Sequence, residues 1–244
     1  MIFLRMVLLL VASLLVLAAF GALAPDPQPS ALRVMVASVV ALLAPLFWPG
    51  AAATPLRTLG RTLVWSLAAT LLAGLAMALL GQGAPPALLL PVCAMLLPIL
   101  LLTHALAAGL QAGWQPEATG SPDAQAARWA AGIAAMLLLA LAGAAPLWLG
   151  PAAELASARH ETALDILVAT SPLTHLAVAG GLDLLRTAWL YQNANLAALP
   201  VNYPQAGHLA AVYAAACAVL TLALVALQRR QGADHAIPLT ENPP

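Results

Sequence analysis

Ala87-Leu88-Leu89-Leu90-Pro91-Val92-Cys93-Ala94-Met95-Leu96-Leu97-Pro98-Ile99-Leu100-Leu101-Leu102-Thr103-His104-Ala105-Leu106-Ala107-Ala108-Gly109-Leu110 runs without a single Asp, Glu, Lys or Arg. A bilayer core roughly 30 Å thick takes about 20 apolar residues of helix to cross. This run is long enough, so the solvent it implies is lipid. Five more apolar runs, almost free of charge, flank it, at 2–23, 31–48, 62–80, 129–149 and 208–228. Inside lipid a backbone must satisfy its own hydrogen bonds, which selects helices over open strands. None of the runs shows the alternation of a membrane barrel strand.

Composition agrees. Hydrophobic residues make up 63% of the 244-residue chain and charged residues 7%, against roughly 25% charged in an average soluble domain. The breaks between runs carry turn chemistry: Pro25-Asp26-Pro27, Pro49-Gly50, Gly81-Gln82-Gly83 and Gly120-Ser121-Pro122-Asp123. The expected fold is therefore all-α. It is a polytopic membrane helix bundle with six transmembrane helices, plus interfacial helices between the fifth and sixth, in one domain covering 1–244. The first run has signal-peptide features in Arg5 and Ala22-Leu23-Ala24. Its length, and Pro25 directly after it, favour a retained helix.

Orientation rests on arginine, because all nine basic residues are Arg. With the N-terminus inside, the cytoplasmic side holds Arg5, Arg57, Arg61, Arg128, Arg229 and Arg230, and the outer side holds Arg33, Arg159 and Arg186. This bias places both termini in the cytoplasm. Trp48, Trp65, Trp129 and Trp148 fall at span ends, where interfacial aromatic anchors belong. The absence of lysine and the abundance of Ala, Leu and Arg suggest a GC-rich genome and a bacterial inner membrane.

Net charge is zero, which gives no basic surface for nucleic acid. Cys93 and Cys217 both lie inside spans and form no disulfide framework or metal-spaced pair. No cofactor is implied. Small residues offer faces for close helix packing: Ala210, Ala214 and Ala218 on the last span, Gly74 and Ala78 on the third, Gly132 on the fifth. Ala44-Pro45-Leu46-Phe47-Trp48-Pro49-Gly50 and Ala145-Pro146-Leu147-Trp148-Leu149-Gly150-Pro151 end the second and fifth spans alike. That spacing would suit an inverted repeat, although an interfacial helix end explains the same residues.

Two groups of residues are candidates for chemistry. In the fourth span Pro91 and Pro98 each remove a backbone donor, and Thr103 and His104 follow towards the cytoplasmic end. A bent helix near mid-membrane and an intramembrane histidine mark transport sites elsewhere, so Pro91, Pro98 and His104 are candidates for transport or gating. The second group is the long connection 150–207. Ser171-Pro172 is a helix start with a hydroxyl cap and proline at the first helical position. Leu173, Leu176, Ala177, Gly180, Leu184 and Ala188 then form an apolar stripe. A shorter helix is expected around 158–169. The polar cluster His160, Glu161, Asp165, His175, Asp183 and Arg186 would face solvent at the outer surface, Asp183 and Arg186 being three apart and able to pair. No histidine spacing here matches a zinc motif, and no G-x-x-x-x-G-K-[ST] segment is present.

Within that connection Glu161-Thr162-Ala163-Leu164-Asp165-Ile166-Leu167-Val168-Ala169-Thr170-Ser171-Pro172-Leu173-Thr174 is similar to the E-x-G-T-L-x-x-L-L-x-T-P signature of ABC-2-type exporter permeases. Six spans with both termini inside resemble the same family. The segment departs at Ala163 and Ser171, and it follows the fifth span rather than the second. The resemblance implies an exporter subunit working with a separate cytoplasmic ATPase, as a dimer or with other membrane subunits. The loops near Arg57–Arg61 and Glu117–Arg128 would meet that ATPase. A second reading is a non-catalytic subunit that assembles or anchors a larger membrane complex. Its support is the lack of any mid-span carboxylate or arginine, which also argues against proton-coupled transport. An outer-face enzyme using His160, Glu161, Asp165 or His175 is a third.

Overall fold

The computed structural model describes residues 2–23, 29–52, 54–80, 86–114, 122–145, 166, 168–183 and 205–234. Every regular element among them is a helix: α1 (Ile2–Leu23), α2 (Pro29–Phe47), α3 (Pro55–Leu80), α4 (Pro86–Trp114), α5 (Pro122–Gly143), α6 (Pro172–Ala179) and α7 (Ala206–Asp234). Four helices are long and apolar enough to cross a membrane: Pro29–Phe47, Leu56–Leu80, Ala87–Trp114 and Asp123–Gly143. Phe3–Ala19 of α1 and Gly207–Ala223 of α7 are shorter apolar stretches. Proline opens five of the seven helices, α2 to α6, the position where its missing N–H costs nothing. These prolines shift two expected boundaries. α3 begins at Pro55 rather than at 62, and α5 runs over 122–143 rather than 129–149.

The distribution of side chains fits lipid rather than water. On α3 the inward face is Thr58, Thr62, Trp65, Ser66, Ala69, Thr70, Ala73 and Met77, all buried, while Leu71, Leu75 and Leu79 point outward and are exposed. A water-soluble helix has the opposite pattern. Leucine outside with small and hydroxylated residues inside suits helices that pack without a hydrophobic driving force. Exposed Leu137 and Leu141 on α5, and Val212, Val219 and Leu222 on α7, extend the apolar exterior.

α4 is central, packing against α2, α3, α5, α6 and α7. Close approaches are made by glycine. At Gly132 a Cβ would stand 2.7 Å from the Pro45 carbonyl oxygen, and at Gly74 it would stand 3.2 Å from Cys93 Sγ. Both positions were expected to pack closely. The alanine stripe of the last span does not, since Ala214 and Ala218 are exposed.

The C-terminal end of α2 shows how orphan carbonyls are satisfied. Trp65 Nε1 donates to Ala44 O at 3.1 Å, Trp48 N to Pro45 O at 3.4 Å, and Arg5 Nη1 to Trp48 O at 2.7 Å. A cation there also complements the negative end of the helix. The turn that follows needs Gly50, whose φ of +91° is open to glycine at no steric cost. Trp48 and Trp65 are each 1% exposed. They are interior packing and capping groups, not the interfacial anchors expected. Trp129, 40% exposed, fits that role, and Trp148 lies outside the described residues.

Candidate functional site

Two buried polar constellations lie in the bundle, and each contains a histidine singled out by the sequence. The first joins α3 to α4. Thr58, Thr62, Ser66 and Thr70 recur every fourth residue, so they line one face of α3, and all four are buried. Thr103 and His104 on α4 are buried with them. Ser66 Oγ and His104 Nδ1 are 2.8 Å apart. Either the serine donates to a bare Nδ1 or an Nδ1–H donates to the serine; the two tautomers share this heavy-atom geometry. His104 Nε2 has no hydrogen-bond partner among the described residues.

The other hydroxyls largely return to their own helices. Thr70 Oγ1 donates to Ser66 O at 2.8 Å, Thr103 Oγ1 to Ile99 O at 2.7 Å, and Thr58 Oγ1 to Thr54 O at 3.2 Å. Such i−4 bonds let a hydroxyl sit in a low-dielectric interior without orphaning a donor. A serine beside a histidine has the reach of a nucleophile and base. Here both side chains are fully enclosed at 0% exposure, so the arrangement joins two helices and leaves no room for an acyl or phosphoryl group on the serine.

Beside this seam is a cavity of about 440 Å³ that opens to the outside of the bundle, where Leu56 and Leu63 are exposed; it is lined on α3 by Leu56, Leu59, Gly60, Thr62 and Leu63, on α4 by Leu101 and Ala105, and on α7 by Cys217, Ala218 and Thr221. Thr62 belongs to both cavity and seam. Ala105 follows His104 directly. The cavity wall is hydrocarbon, with two hydroxyls and one thiol.

The second constellation surrounds α6. Ser171 caps its start by accepting from Thr174 N at 3.3 Å, and the same hydroxyl donates to Gly143 O at 3.0 Å, satisfying the end of α5. The helix then stops at Gly180-Gly181. Leu182 N donates to Ala177 O at 2.8 Å and Gly181 N to Val178 O at 3.1 Å, with Gly181 at φ +71°, a Schellman ending. The helix expected to carry the apolar stripe ends at Ala179, and Leu184 and Ala188 lie outside the described residues. Gly180 had been read as a small residue within that stripe.

His175 is not on a solvated face. It is 3% exposed, with Nδ1 2.9 Å from Tyr213 Oη on α7 and the two rings edge to face at 5.6 Å. The reason is packing. α6 is wedged against α2, α4, α5 and α7 instead of lying along the outside, so its polar side is enclosed too. Burial of the ring holds the His175 pKa below the ordinary histidine value, opposed in part by the nearby carbonyls of Val168 and Ala169. Arg33 Nη2 donates to Gly180 O at 3.2 Å, tying α6 to the start of α2.

Pro91 is exposed on α4, and Pro98 is half-buried, its carbonyl 3.7 Å from Cys217 Sγ. α4 continues as helix through both prolines. Asp183 is exposed just past α6. His160, Glu161, Asp165 and Arg186 lie outside the described residues, as do most of the shorter expected helix and the second copy of the Ala-Pro-Leu motif. Among the described residues no three His, Cys, Asp or Glu gather as metal ligands would. Ser66 and Tyr213 were missed. The four-residue spacing of Thr58, Thr62, Ser66 and Thr70 was the signal available for Ser66. Nothing local marked Tyr213.

No protein-family model, curated protein or solved structure matches this chain.

Proposed function

We propose that this chain is a six-span permease subunit of an export system, driven by a separate ATPase. The observation that carries the reading is the cavity beside the buried Ser66–His104 seam. A membrane bundle holds polar groups at a cost, and in transporters such groups line the path. Charge-free hydroxyls on a hydrocarbon wall suit a substrate with an apolar body and uncharged polar groups. In this reading α1 and α7 complete the six spans, and energy comes from a nucleotide-hydrolysing partner at the end where Arg57 and Arg61 lie. The arginine bias supports cytoplasmic termini, and the lysine-free composition rich in Ala, Leu and Arg supports a bacterial inner membrane. The similarity of Glu161–Thr174 to the ABC-2 signature supports the same class. A dimer or further membrane subunits would complete the assembly.

The self-satisfied hydroxyls of Thr58, Thr70 and Thr103 favour a second reading, a non-catalytic subunit anchoring a larger complex. One preparation separates them. The protein is purified on a tag in mild detergent, its partners are identified by mass spectrometry, and the complex is reconstituted with and without ATP. A stoichiometric ATPase, with export that drops severalfold in Thr62→Val, supports the permease. Membrane partners without an ATPase, and no effect of Thr62→Val on any flux, support the anchor.

A further inference from the structure

Opposite the α6 end of the bundle, arginines from three helices stand around one turn, and two of them touch it. Arg5 of α1 donates to Trp48 O at 2.7 Å and to Phe47 O at 3.5 Å. Arg128 of α5 lies across Gly50, its Cδ 2.9 Å from where a Cβ would stand. The Arg128 guanidinium lies over the neighbouring Trp129 ring, 5.0 Å from its centroid. Arg61 of α3 is exposed. It stands on the α3 face between Thr58, whose hydroxyl accepts from Ala52 N at 2.9 Å, and Trp65, which donates to Ala44 O at 3.1 Å, so it lies on the side of α3 that meets this turn.

Like charges gathered this way disfavour the fold unless something opposes them. The end of α2 supplies roughly half a negative charge to Arg5. None of the three arginines forms an ion pair with a described carboxylate, and Asp123, at the same end on the first turn of α5, pairs with none of them. Positions are nonetheless fixed: backbone carbonyls hold Arg5, and an indole and a glycine hold Arg128. A preorganised set of guanidinium forks that no described carboxylate pairs with matches phosphate oxygens.

The surroundings identify which phosphate. Phe3, Leu4 and Leu8 on α1 are exposed beside Arg5, Leu63 and Val64 follow Arg61, and Ile133 follows Trp129 on α5. The cations therefore sit at the rim of an apolar exterior, with hydrocarbon on one side and water on the other. That is the position of a lipid headgroup. We propose that Arg5, Arg61 and Arg128 form a site for the phosphate of an anionic phospholipid, whose acyl chains lie along α1 and α5. The site is independent of any transport role.

The test is native mass spectrometry of the full chain, with thermal unfolding in mixed micelles of phosphatidylglycerol or phosphatidylcholine. The wild type retains phosphatidylglycerol in preference to phosphatidylcholine and gains stability from it. Arg61→Gln and Arg128→Gln each weaken retention about fivefold, the effect of one basic residue at a charged surface. Arg57→Gln, an exposed arginine one turn nearer the start of the same helix, leaves retention unchanged. Arg5→Gln also loosens the end of α2, so Arg61→Gln, whose side chain is exposed, is the decisive variant. Equal retention of the two lipids, or an equal loss in Arg57→Gln, would overturn the site. If inorganic phosphate alone stabilises the protein as much as the lipid does, the lipid assignment is overturned in favour of a free phosphate.

Discussion

The carbonyl oxygen of Pro45 on α2 lies 2.7 Å from the point where a side chain would begin at Gly132 on α5. Backbone meets backbone here, and neither can turn aside as a flexible side chain would. Gly132→Ala is therefore expected to destabilise by about 1–3 kcal/mol, the range for overpacking. Gly113→Ala, with nothing within 4 Å, is expected to be neutral or stabilising by up to about 1 kcal/mol. Unfolding of the two variants in the same detergent checks the contrast. A Gly132→Ala protein as stable as the wild type would mean that α2 and α5 stand further apart.

The contact between Gly180 and Val34 makes a sharper case, because one partner is a side chain. A Cβ at Gly180 would sit 2.6 Å from Val34 Cγ2. Gly180→Ala alone should cost about 1–3 kcal/mol. Trimming the obstacle with Val34→Ala should restore part of that loss, giving a coupling within roughly 0.5–3 kcal/mol in a double-mutant cycle. Additive effects would show that α6 does not dock on the start of α2.

His175 sets a pH dependence whose sign follows from burial. Its pKa in the fold lies below the ordinary 6.5, so the unfolded chain takes up the proton first as pH falls. Between those two values the unfolded state binds more protons, and stability drops with falling pH. The melting temperature should therefore decrease from about pH 7.5 to about pH 5, across the histidine range. His175→Gln keeps a hydrogen-bonding group for Tyr213 but does not titrate, so it should flatten that decrease. An unchanged slope in the variant would assign the effect to other groups.

Much of the fold was legible because lipid makes a coarse demand. Uncharged runs of sufficient length become helices, and Ser171-Pro172 started one where its chemistry said it should. What stayed hidden were relationships between distant residues. His104 stood out as an intramembrane histidine, but its partner Ser66 is 38 residues away and was not singled out. His175 looked solvated because its helix was judged by its own two faces, whereas contacts with four neighbouring helices decide its burial. Trp48 and Trp65 sit at run ends, as anchors do. Only the open carbonyl at Ala44 explains why Trp65 turns inward.

The bond between Ser66 and His104 supplies the last prediction, and its magnitude separates a structural hydrogen bond from a functional one. Interhelical side-chain bonds in membranes contribute on average about 0.6 kcal/mol and at most about 1.7. Ser66→Ala should fall in that range, because it removes one hydroxyl and leaves almost no void. His104→Ala should cost more, about 2–4 kcal/mol, since it also opens a cavity the size of a ring. The cycle between Ser66→Ala and His104→Gln isolates the pairwise term, with a coupling of roughly 0.6–2 kcal/mol expected. A folded Ser66→Ala protein that loses most of its flux, against so small a change in stability, would place the seam on the path. Flux that falls only as far as the folded fraction falls would leave Ser66 and His104 as the bond that holds α3 to α4.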